Sequence, residues 1–503
     1  MELSFQTHAL TFLKSVVREV RHQEETAETI VPDSYPDIES IIDSTASVIL
    51  RGKDCLDGSC TISGGIKGGI LYQAEGEQKL CTLDYYLPFN MKIDNPELTS
   101  QSHVCCELRV RSVDGKMINS RKAMLRVNVS CLLLAYTNAE EICYTMTQQP
   151  DSVQVLERTY PLLVPVEYSE KAFSIHETME LPAGTGDMAQ IYKFYCRPEI
   201  TDQKLVGDKA VFRGNIYCKL AYLSADNQYL VHTVSVPFSQ YCQLEQTYDE
   251  EQVMILLSVT GCDFNQEQEN KGRRGEMVLH ILGQCVVSGV RELNVIEDAY
   301  STTGTLQTKW KSYHLQSCLD RQKINLSAHQ QLHPELVQVV DTEMYTDFPT
   351  ITNGHDPCSG GVATMARAIG YNAANMLTGA SGIGNAVIEN LISGQASCIG
   401  RVVRSGEEYP MQNMDKLEIC QDLQLDLQFL GGQEIDTLME AEMDTESKID
   451  SNSPSLVLKR VHAESALWDL AKAYHSRVDV ICAVNQLDND RVKADQILLI
   501  PIG

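Results

Sequence analysis

The sequence is poor in basic residues and has no long apolar run. Lys and Arg number 41 against 68 Asp and Glu, which gives a net charge of −27 at pH 7. Such a charge repels nucleic acid and anionic lipid, so no nucleic-acid partner is expected. Runs of about 18 uncharged apolar residues are lacking, and residues 1–25 have no apolar signal-peptide core. We therefore expect no transmembrane segment and a chain that stays in the cytosol.

Clustered cysteines are also missing, although the chain has 17 cysteines in all. None of them forms a C-x-x-C pair, and several, such as Cys131 and Cys285, lie inside apolar runs. A zinc site would need clustered Cys and His ligands, so no metal is expected. The pattern favours reduced, buried thiols that pack as small hydrophobic groups.

The usual catalytic and cofactor motifs are absent from the sequence. Neither a G-x-x-x-x-G-K-[ST] phosphate loop nor a G-x-S-x-G nucleophile elbow occurs. The run TGASGIG at 378–384 is one residue short of the T-G-x-x-x-G-x-G dinucleotide pattern, and no clear strand precedes it. His355, Asp356 and Cys358 lie in a Gly/Pro-rich loop, where polar residues are usually solvated. No cofactor is expected, and we predict that the protein is not an enzyme.

An internal duplication sets the domain organisation. Four residues of the first third recur with one constant offset in the second third: Pro32, Asp37, Gly64 and Tyr72 become Pro182, Asp187, Gly214 and Tyr222. A third copy is weaker and starts where residues 334–341 resemble 36–43. Between 362 and 395 this similarity fades, which indicates either a diverged repeat or a local sequence error.

The predicted domains follow from the repeats and from composition. They are repeat 1 at 1–150, repeat 2 at 151–305, a diverged repeat 3 at 306–442, an acidic Ser-rich linker at 443–454, and a C-terminal module at 455–503.

The repeats are predicted to be mainly β. Alternating segments such as 124–134 and 231–238 indicate half-buried antiparallel strands. Each repeat should form a sandwich or a partly closed barrel. Ile38, Ile41 and Ile42 have helical spacing after Asp37, which predicts one short helix per repeat at 37–44. Residues 113–116, VDGK, predict a hairpin turn.

The last fifty residues predict a small α+β module with the order strand, helix, helix, strand. The strands lie at 456–461 and 497–501, and the helices at 465–474, with Ser465 as the N-cap, and at 478–485.

Three features of this module resemble a LysM domain: the run 467–471 (LWDLA), Asn485, and the run 496–501 (QILLIP). Members of that family usually bind N-acetylglucosamine polymers between the loop after the first strand and the loop after the second helix. This sequence has Glu464-Ser465-Ala466 where the family has Gly-Asp-Thr, and Asp495 replaces a family glycine. The resemblance places candidate residues for binding a protein partner or a glycan in the two loops: Ala463, Glu464, Ser465, Ala466, Asn485, Gln486, Leu487 and Asp488.

The upstream repeats resemble the SPOCS-type repeats of spore coat proteins. The segment 32–43, the strand from Gly64 to Tyr72 and the pair Pro88-Phe89 carry this resemblance. Tandem repeats followed by one LysM domain are similar to the SipL-like family of spore coat morphogenetic proteins. The resemblance implies a non-catalytic assembly protein in the mother cell, at the forespore surface, whose LysM domain docks the ATPase of the coat basement layer. The alternative is a LysM protein that binds peptidoglycan of the spore or cell wall.

Overall fold

The computed structural model describes residues 3–76, 79–248, 251–267, 272–352, 358–391, 397–413, 416–448, 454–462, 465–487 and 491–502. Strands dominate these residues, and two short helices lie near the C-terminus. The prediction of a mainly β chain is confirmed.

Repeats 1 and 2 contain six long strands each. In repeat 1 they are β1 (Phe5–Ile30), β2 (Ile38–Leu56), β3 (Ser59–Ala74), β4 (Leu80–Asp94), β5 (His103–Asn119) and β6 (Lys122–Met146). In repeat 2 they are β7 (Val153–Glu180), β8 (Met188–Val206), β9 (Lys209–Ser224), β10 (Tyr229–Gln243), β11 (Gln252–Gln266) and β12 (Arg274–Ser301).

Repeat 3 follows the same plan with two extra short strands. It contains β13 (Gly304–Gln331), β14 (Gln338–Thr346), β15 (Thr350–Thr352), β16 (Cys358–Tyr371), β17 (Leu377–Leu391), β18 (Ser397–Ser405), β19 (Tyr409–Asn413) and β20 (Lys416–Lys448). The C-terminal module contains β21 (Leu456–Arg460), β22 (Ser465–Ala466), α1 (Leu467–Ala473), α2 (Val478–Asn485), β23 (Arg491–Val492) and β24 (Ile497–Pro501).

Each repeat is a sandwich of two open antiparallel sheets. In repeat 1 the sheet that we call outer has the strand order β1-β6-β5, and the sheet that we call inner has β2-β3-β4. Repeat 2 has the outer sheet β7-β12-β11 and the inner sheet β8-β9-β10. Repeat 3 matches them with β13-β20-β18 and β14-β16-β17, and β15 and β19 pair with its β16 and β20. Strands of both sheets contribute to one apolar core in each repeat, which is the sandwich geometry. The weak third sequence repeat thus has the same strand order as the first two.

The predicted short helix in each repeat is wrong. Residues from Ile38 onward belong to strand β2, and the equivalent residues of repeat 2 begin strand β8. The register of β2 shifts between Ile38 and Ser40 and again between Ile41 and Asp43. These bulges interrupt the strict alternation of the strand, so Ile38 and Ile41 both pack against the core of repeat 1 while Ile42 is buried in a separate cluster with Tyr192. As a result, the spacing of these isoleucines along the sequence resembles that of the buried face of a helix.

The predicted hairpin turn at 113–116 is also wrong, because these residues lie inside β5 and the chain turns at Ser120 and Arg121. Gly115 has a packing role instead: a Cβ there would come 2.8 Å from the Cβ of Ser44 in the facing sheet. The first part of the predicted linker, 443–448, continues strand β20, and 449–453 lie outside the described residues.

A buried network of charges joins the three repeats. Asp43, Lys193 and Asp341 occupy equivalent positions, because each follows a bulge in the first strand of the inner sheet of its repeat. Lys193 Nζ lies 2.9 Å from Asp341 Oδ2. Arg367 Nη2 of repeat 3 lies 2.7 Å from Asp43 Oδ1 of repeat 1. The hydroxyl of Tyr192 in repeat 2 donates to Asp43 at 2.9 Å. Since every pair of repeats is linked, the network fixes their relative orientation.

Candidate functional site: the C-terminal module

The C-terminal module folds around a small apolar core. Strands β21 and β24 pair antiparallel, and the two helices cover one face of that ribbon. Leu467, Ala471, Ile481, Leu498 and Ile500 are fully buried between them. The predicted order of strand, helix, helix and strand is therefore present, with the short pair β22–β23 added.

The two predicted binding loops meet through the pair β22–β23. Ser465 pairs with Val492 and Ala466 with Arg491. This pairing brings the loop after strand β21 against the loop between helix α2 and strand β24. The predicted N-cap is wrong, since Ala466 occupies that position and makes no side-chain cap hydrogen bond. Ala463, Glu464 and Asp488 lie outside the described residues.

Asn485 is used inside the module. Its Nδ2 donates to the carbonyl oxygens of Ile481 at 2.8 Å and Leu499 at 2.6 Å. Its Oδ1 accepts from the Leu499 N–H at 2.7 Å. The amide thus ties the end of α2 to β24, and these bonds occupy both of its polar ends. Gln486 follows in a left-handed conformation with φ of 53° and is exposed, and Leu487 packs against the core.

Asp495, which replaces a family glycine, keeps the backbone that glycine favours. Its φ is +66°, a region that residues with a Cβ seldom adopt. The carboxylate lies 2.8 Å from Arg460 Nη2 in an exposed ion pair. The turn shape is therefore preserved, while a charged side chain stands where glycine would leave open space.

The outer face of the β21–β24 ribbon is apolar and exposed. Leu458 is 68% exposed, Ile497 59% and Leu456 50%. Register places these residues together, because Leu456 pairs with Pro501, Leu458 with Leu499 and Arg460 with Ile497. We call Leu456, Leu458, Arg460, Ile497, Leu499 and Pro501 the ribbon face. Contiguous exposed apolar groups of this kind are typical of interaction surfaces.

The opposite side of the module packs against repeat 2 through helix α1. Trp468 Nε1 donates to Asp298 Oδ2 at 2.8 Å, and Lys472 Nζ donates to the same carboxylate at 2.7 Å. The ring of Tyr300 lies edge-on to Trp468 at 4.9 Å, and its hydroxyl donates to the Ser476 carbonyl. Burial raises the pKa of Tyr300 to about 12, so this hydroxyl keeps its proton at neutral pH. Trp468 is half-buried at this interface and also packs against the core of the module.

The described residues of the motifs that were considered for cofactor or catalytic chemistry belong to β-strands of repeat 3. Residues 378–384 lie inside strand β17 and not in a strand–loop–helix turn. A Cβ on Gly379 would come 1.8 Å from the Ile42 carbonyl oxygen, so this glycine permits close contact between repeats 3 and 1. Cys358 begins β16, whereas His355 and Asp356 lie outside the described residues.

Within the described part of the chain, one group of possible metal ligands is brought together: His329, Glu418 and Cys420. His329 and Cys420 are opposite each other on β13 and β20, with 3.1 Å between Nδ1 and Sγ. Burial, with a contribution from Glu418, raises the pKa of the Cys420 thiol. No sequence pattern indicates this group, because strand register alone makes these residues neighbours.

Comparison with known proteins agrees with this architecture. Residues 37–118 and 187–267 match the SipL, SPOCS domain family, and residues 461–501 match the LysM domain family. The first two segments run from the start of the inner sheet to the end of β5 or β11, so each covers the centre of a repeat. No curated protein and no solved structure matches the chain.

The chain is therefore a tandem-repeat β protein with a C-terminal LysM module. Its resemblance to SipL-like proteins is confirmed, with two SPOCS domain segments followed by one LysM domain. This combination fits a sporulation coat protein, and a LysM domain indicates binding to peptidoglycan or to protein. Among the described residues, none of the helices has the length and apolar character needed to cross a membrane.

Proposed function

We propose that this protein is a non-catalytic assembly factor of the spore coat, acting in the mother cell at the forespore surface. Its LysM module docks a protein of the coat basement layer, the morphogenetic ATPase. The matched domains do not belong to catalytic families, which supports a role without bond chemistry. Several linked modules can strengthen weak contacts by raising the effective concentration of the binding surfaces.

The ribbon face is the observation that carries the proposal. It presents Leu456, Leu458 and Ile497 to solvent with Arg460 as its one charged member. An apolar surface gains free energy when a partner protein covers it, at roughly 25 cal/mol per Å². Sugar recognition relies instead on hydrogen-bonding groups placed around a cleft.

The residues of the sugar-binding region also support a protein partner. The Asn485 amide is bonded to Ile481 and Leu499, so these contacts compete with any sugar hydroxyl. Asp495 and Arg460 pair where a family glycine would let the backbone approach a ligand.

The test is binding of the full-length protein to the purified basement-layer ATPase by biolayer interferometry. Leu458→Asp places a charge in the middle of the ribbon face and should weaken binding at least about tenfold. The matched control is Ile383→Asp, because Ile383 is 76% exposed on repeat 3, away from the module. Equal binding by wild type and Leu458→Asp would exclude the ribbon face as the docking surface.

The second candidate function is binding to peptidoglycan, which the LysM match favours. It predicts that the full-length protein sediments with purified peptidoglycan and that chito-oligosaccharides release it. Under this alternative, Leu458→Asp should leave sedimentation unchanged, since the residue lies on the ribbon and outside the two loops.

A further inference from the structure

A cavity of about 800 Å³ lies where the outer sheets of the three repeats meet. Its walls come from all three repeats and include the apolar side chains of Leu13, Tyr136, Met254, Val286 and Ile399. Exposed side chains such as those of Glu97 and His314 also line it, so the cavity reaches solvent. A volume of this size suits a small organic molecule.

One cation on the cavity wall lacks a counter-charge. Arg18 Nη2 donates to Gln428 Oε1 at 3.1 Å. Its Nε and Nη1 atoms are buried and have no hydrogen-bond partner among the described residues. Buried guanidinium donors without an acceptor are costly, so native proteins normally pair them.

The carboxylates that line the cavity are engaged with other cations. The pairs are Glu19 with Arg21 at 2.7 Å, Glu97 with Lys14 at 3.0 Å, and Glu141 with Lys311 at 3.1 Å. These contacts leave Arg18 as a positive charge without a carboxylate partner on the wall of a partly apolar space.

Repeat 3 shows what this position looks like when it is paired internally. Arg18 and Arg321 both stand two residues after a bulge in the first strand of their repeat. Arg321 forms two hydrogen bonds with Asp426, at 2.7 and 2.6 Å. On the neighbouring strand, Arg321 pairs with Gln428, and Asp426 comes two residues before Gln428. In repeat 1, Arg18 pairs in the same way with Leu134, and the residue two before Leu134 is Leu132. Repeat 1 therefore keeps the arginine and has leucine in place of its carboxylate.

We propose that this cavity binds a small amphipathic carboxylate. The carboxylate group pairs with the guanidinium of Arg18, which lines the cavity, and replaces the acid that repeat 1 lacks, because charge-assisted bonds to guanidinium are the strongest available there. The hydrocarbon part lies against Leu13, Met254 and Ile399. A straight-chain fatty acid has both features.

The test is calorimetric titration of the full-length protein with decanoate at pH 7, below its micelle concentration. Saturable binding of one decanoate per chain is expected, at least about tenfold tighter than that of 1-decanol or acetate, since each probe lacks one half of the chemistry. Lack of saturable decanoate binding, or equal affinity for 1-decanol, would overturn the proposal.

Two variants examine Arg18 in different ways. Arg18→Gln removes the charge, and Gln428→Glu supplies an internal carboxylate to the guanidinium that Gln428 already contacts. Each should reduce decanoate affinity at least about tenfold, and Gln428→Glu should also raise the melting temperature. The control Arg51→Gln changes an exposed arginine on β2 that does not line the cavity and should bind like wild type. If Arg18→Gln fails to fold, Gln428→Glu still decides, and undiminished binding by it would contradict the proposed site.

Discussion

At the scale of single residues, the central charges carry the clearest energetic consequence. Burial alone would raise the pKa of the Asp341 carboxyl, but Lys193 and Lys219 outweigh it and hold that pKa well below its usual range. Burial also opposes the charged form of Lys193, yet Asp341 and Glu343 raise its pKa well above the ordinary value. Both groups are therefore ionised in the folded protein, and each depends on the other to remain so.

We expect Asp341→Asn to destabilise the protein by about 3–5 kcal/mol, since it leaves Lys193 and Lys219 buried with too little negative charge. Urea unfolding at pH 7, followed by circular dichroism, measures the change. The control Asp54→Asn alters an exposed carboxylate on β2 and should shift stability by less than about 0.5 kcal/mol. Similar values for the two variants would show that the network contributes little.

The buried ion pair of Asp341 with Lys193 also predicts that the fold is sensitive to acid. A carboxyl whose pKa is lowered by folding stabilises the native state above its unfolded pKa of about 3.9, and that contribution disappears as pH falls through the folded value. Wild-type stability should therefore fall below about pH 4. Asp341→Asn should show a shallower loss over this range, because it has one titrating group fewer.

Sequence alone could not identify this network. Asp43, Lys193 and Asp341 follow equivalent bulges, but those bulges become visible only in the strand registers. The candidate loop residues were located by family resemblance, and the contacts of Asn485 with Ile481 and Leu499 depend on the folded backbone. Residue identity thus indicated where a site could lie, whereas packing decides which side chains are already engaged.

At the scale of the element, the acidic segment between the first two strands of repeats 1 and 2 is an arginine-bound turn. Arg121 Nη1 donates to the Tyr35 carbonyl at 2.9 Å and to Asp37 Oδ1 at 2.8 Å. Arg273 repeats this arrangement in repeat 2 with the Thr185 carbonyl at 2.7 Å and Asp187 Oδ1 at 3.2 Å. The recurring aspartate therefore orients an arginine that satisfies turn carbonyls, which explains the motif without a helix.

We predict that Arg121→Ala lowers the free energy of unfolding by about 2 kcal/mol, because a charged donor to several buried carbonyls is lost. Arg273→Ala should have an effect of similar size, since its contacts are equivalent. The measurement is thermal and urea unfolding of both variants. The control Arg126→Ala changes an arginine on β6 whose nearest carboxylate, Glu24, lies 3.6 Å away. A loss for Arg126→Ala as large as that for Arg121→Ala would refute a special role of the turn.

Alternation predicted the regular strands well and failed where strands are irregular. Strand β4 alternates between buried and exposed residues along most of its length, as expected for one face against a core. Strand β2 has three register shifts, and its isoleucines consequently follow no simple period. The helix prediction failed at such bulges, because local spacing alone cannot distinguish an interrupted strand from a helical turn.

At the scale of the whole molecule, the LysM module follows repeat 3 in the chain but is attached to repeat 2 by side-chain contacts. Asp298 accepts hydrogen bonds from Trp468 and Lys472, and Tyr300 is buried against Trp468. His475 Nδ1 also lies 3.0 Å from the Ser301 carbonyl. Helix α1 therefore faces repeat 2, while the ribbon face on the other side stays open to a partner.

The last prediction concerns this attachment. Asp298→Ala removes the acceptor shared by Trp468 and Lys472 and should release the module from repeat 2, which small-angle scattering would show as a larger radius of gyration. The control Asp479→Ala removes an ion pair with Arg477 that lies within the module, so the overall dimensions should not change. Because the ribbon face is intact in both variants, affinity for a single partner molecule should stay close to wild type. Binding to a surface that carries many partner copies should weaken only for Asp298→Ala, since a freely rotating module no longer holds its face in a fixed direction relative to the repeats. Unchanged dimensions for Asp298→Ala would show that the remaining contacts of Tyr300 and His475 suffice to hold the module.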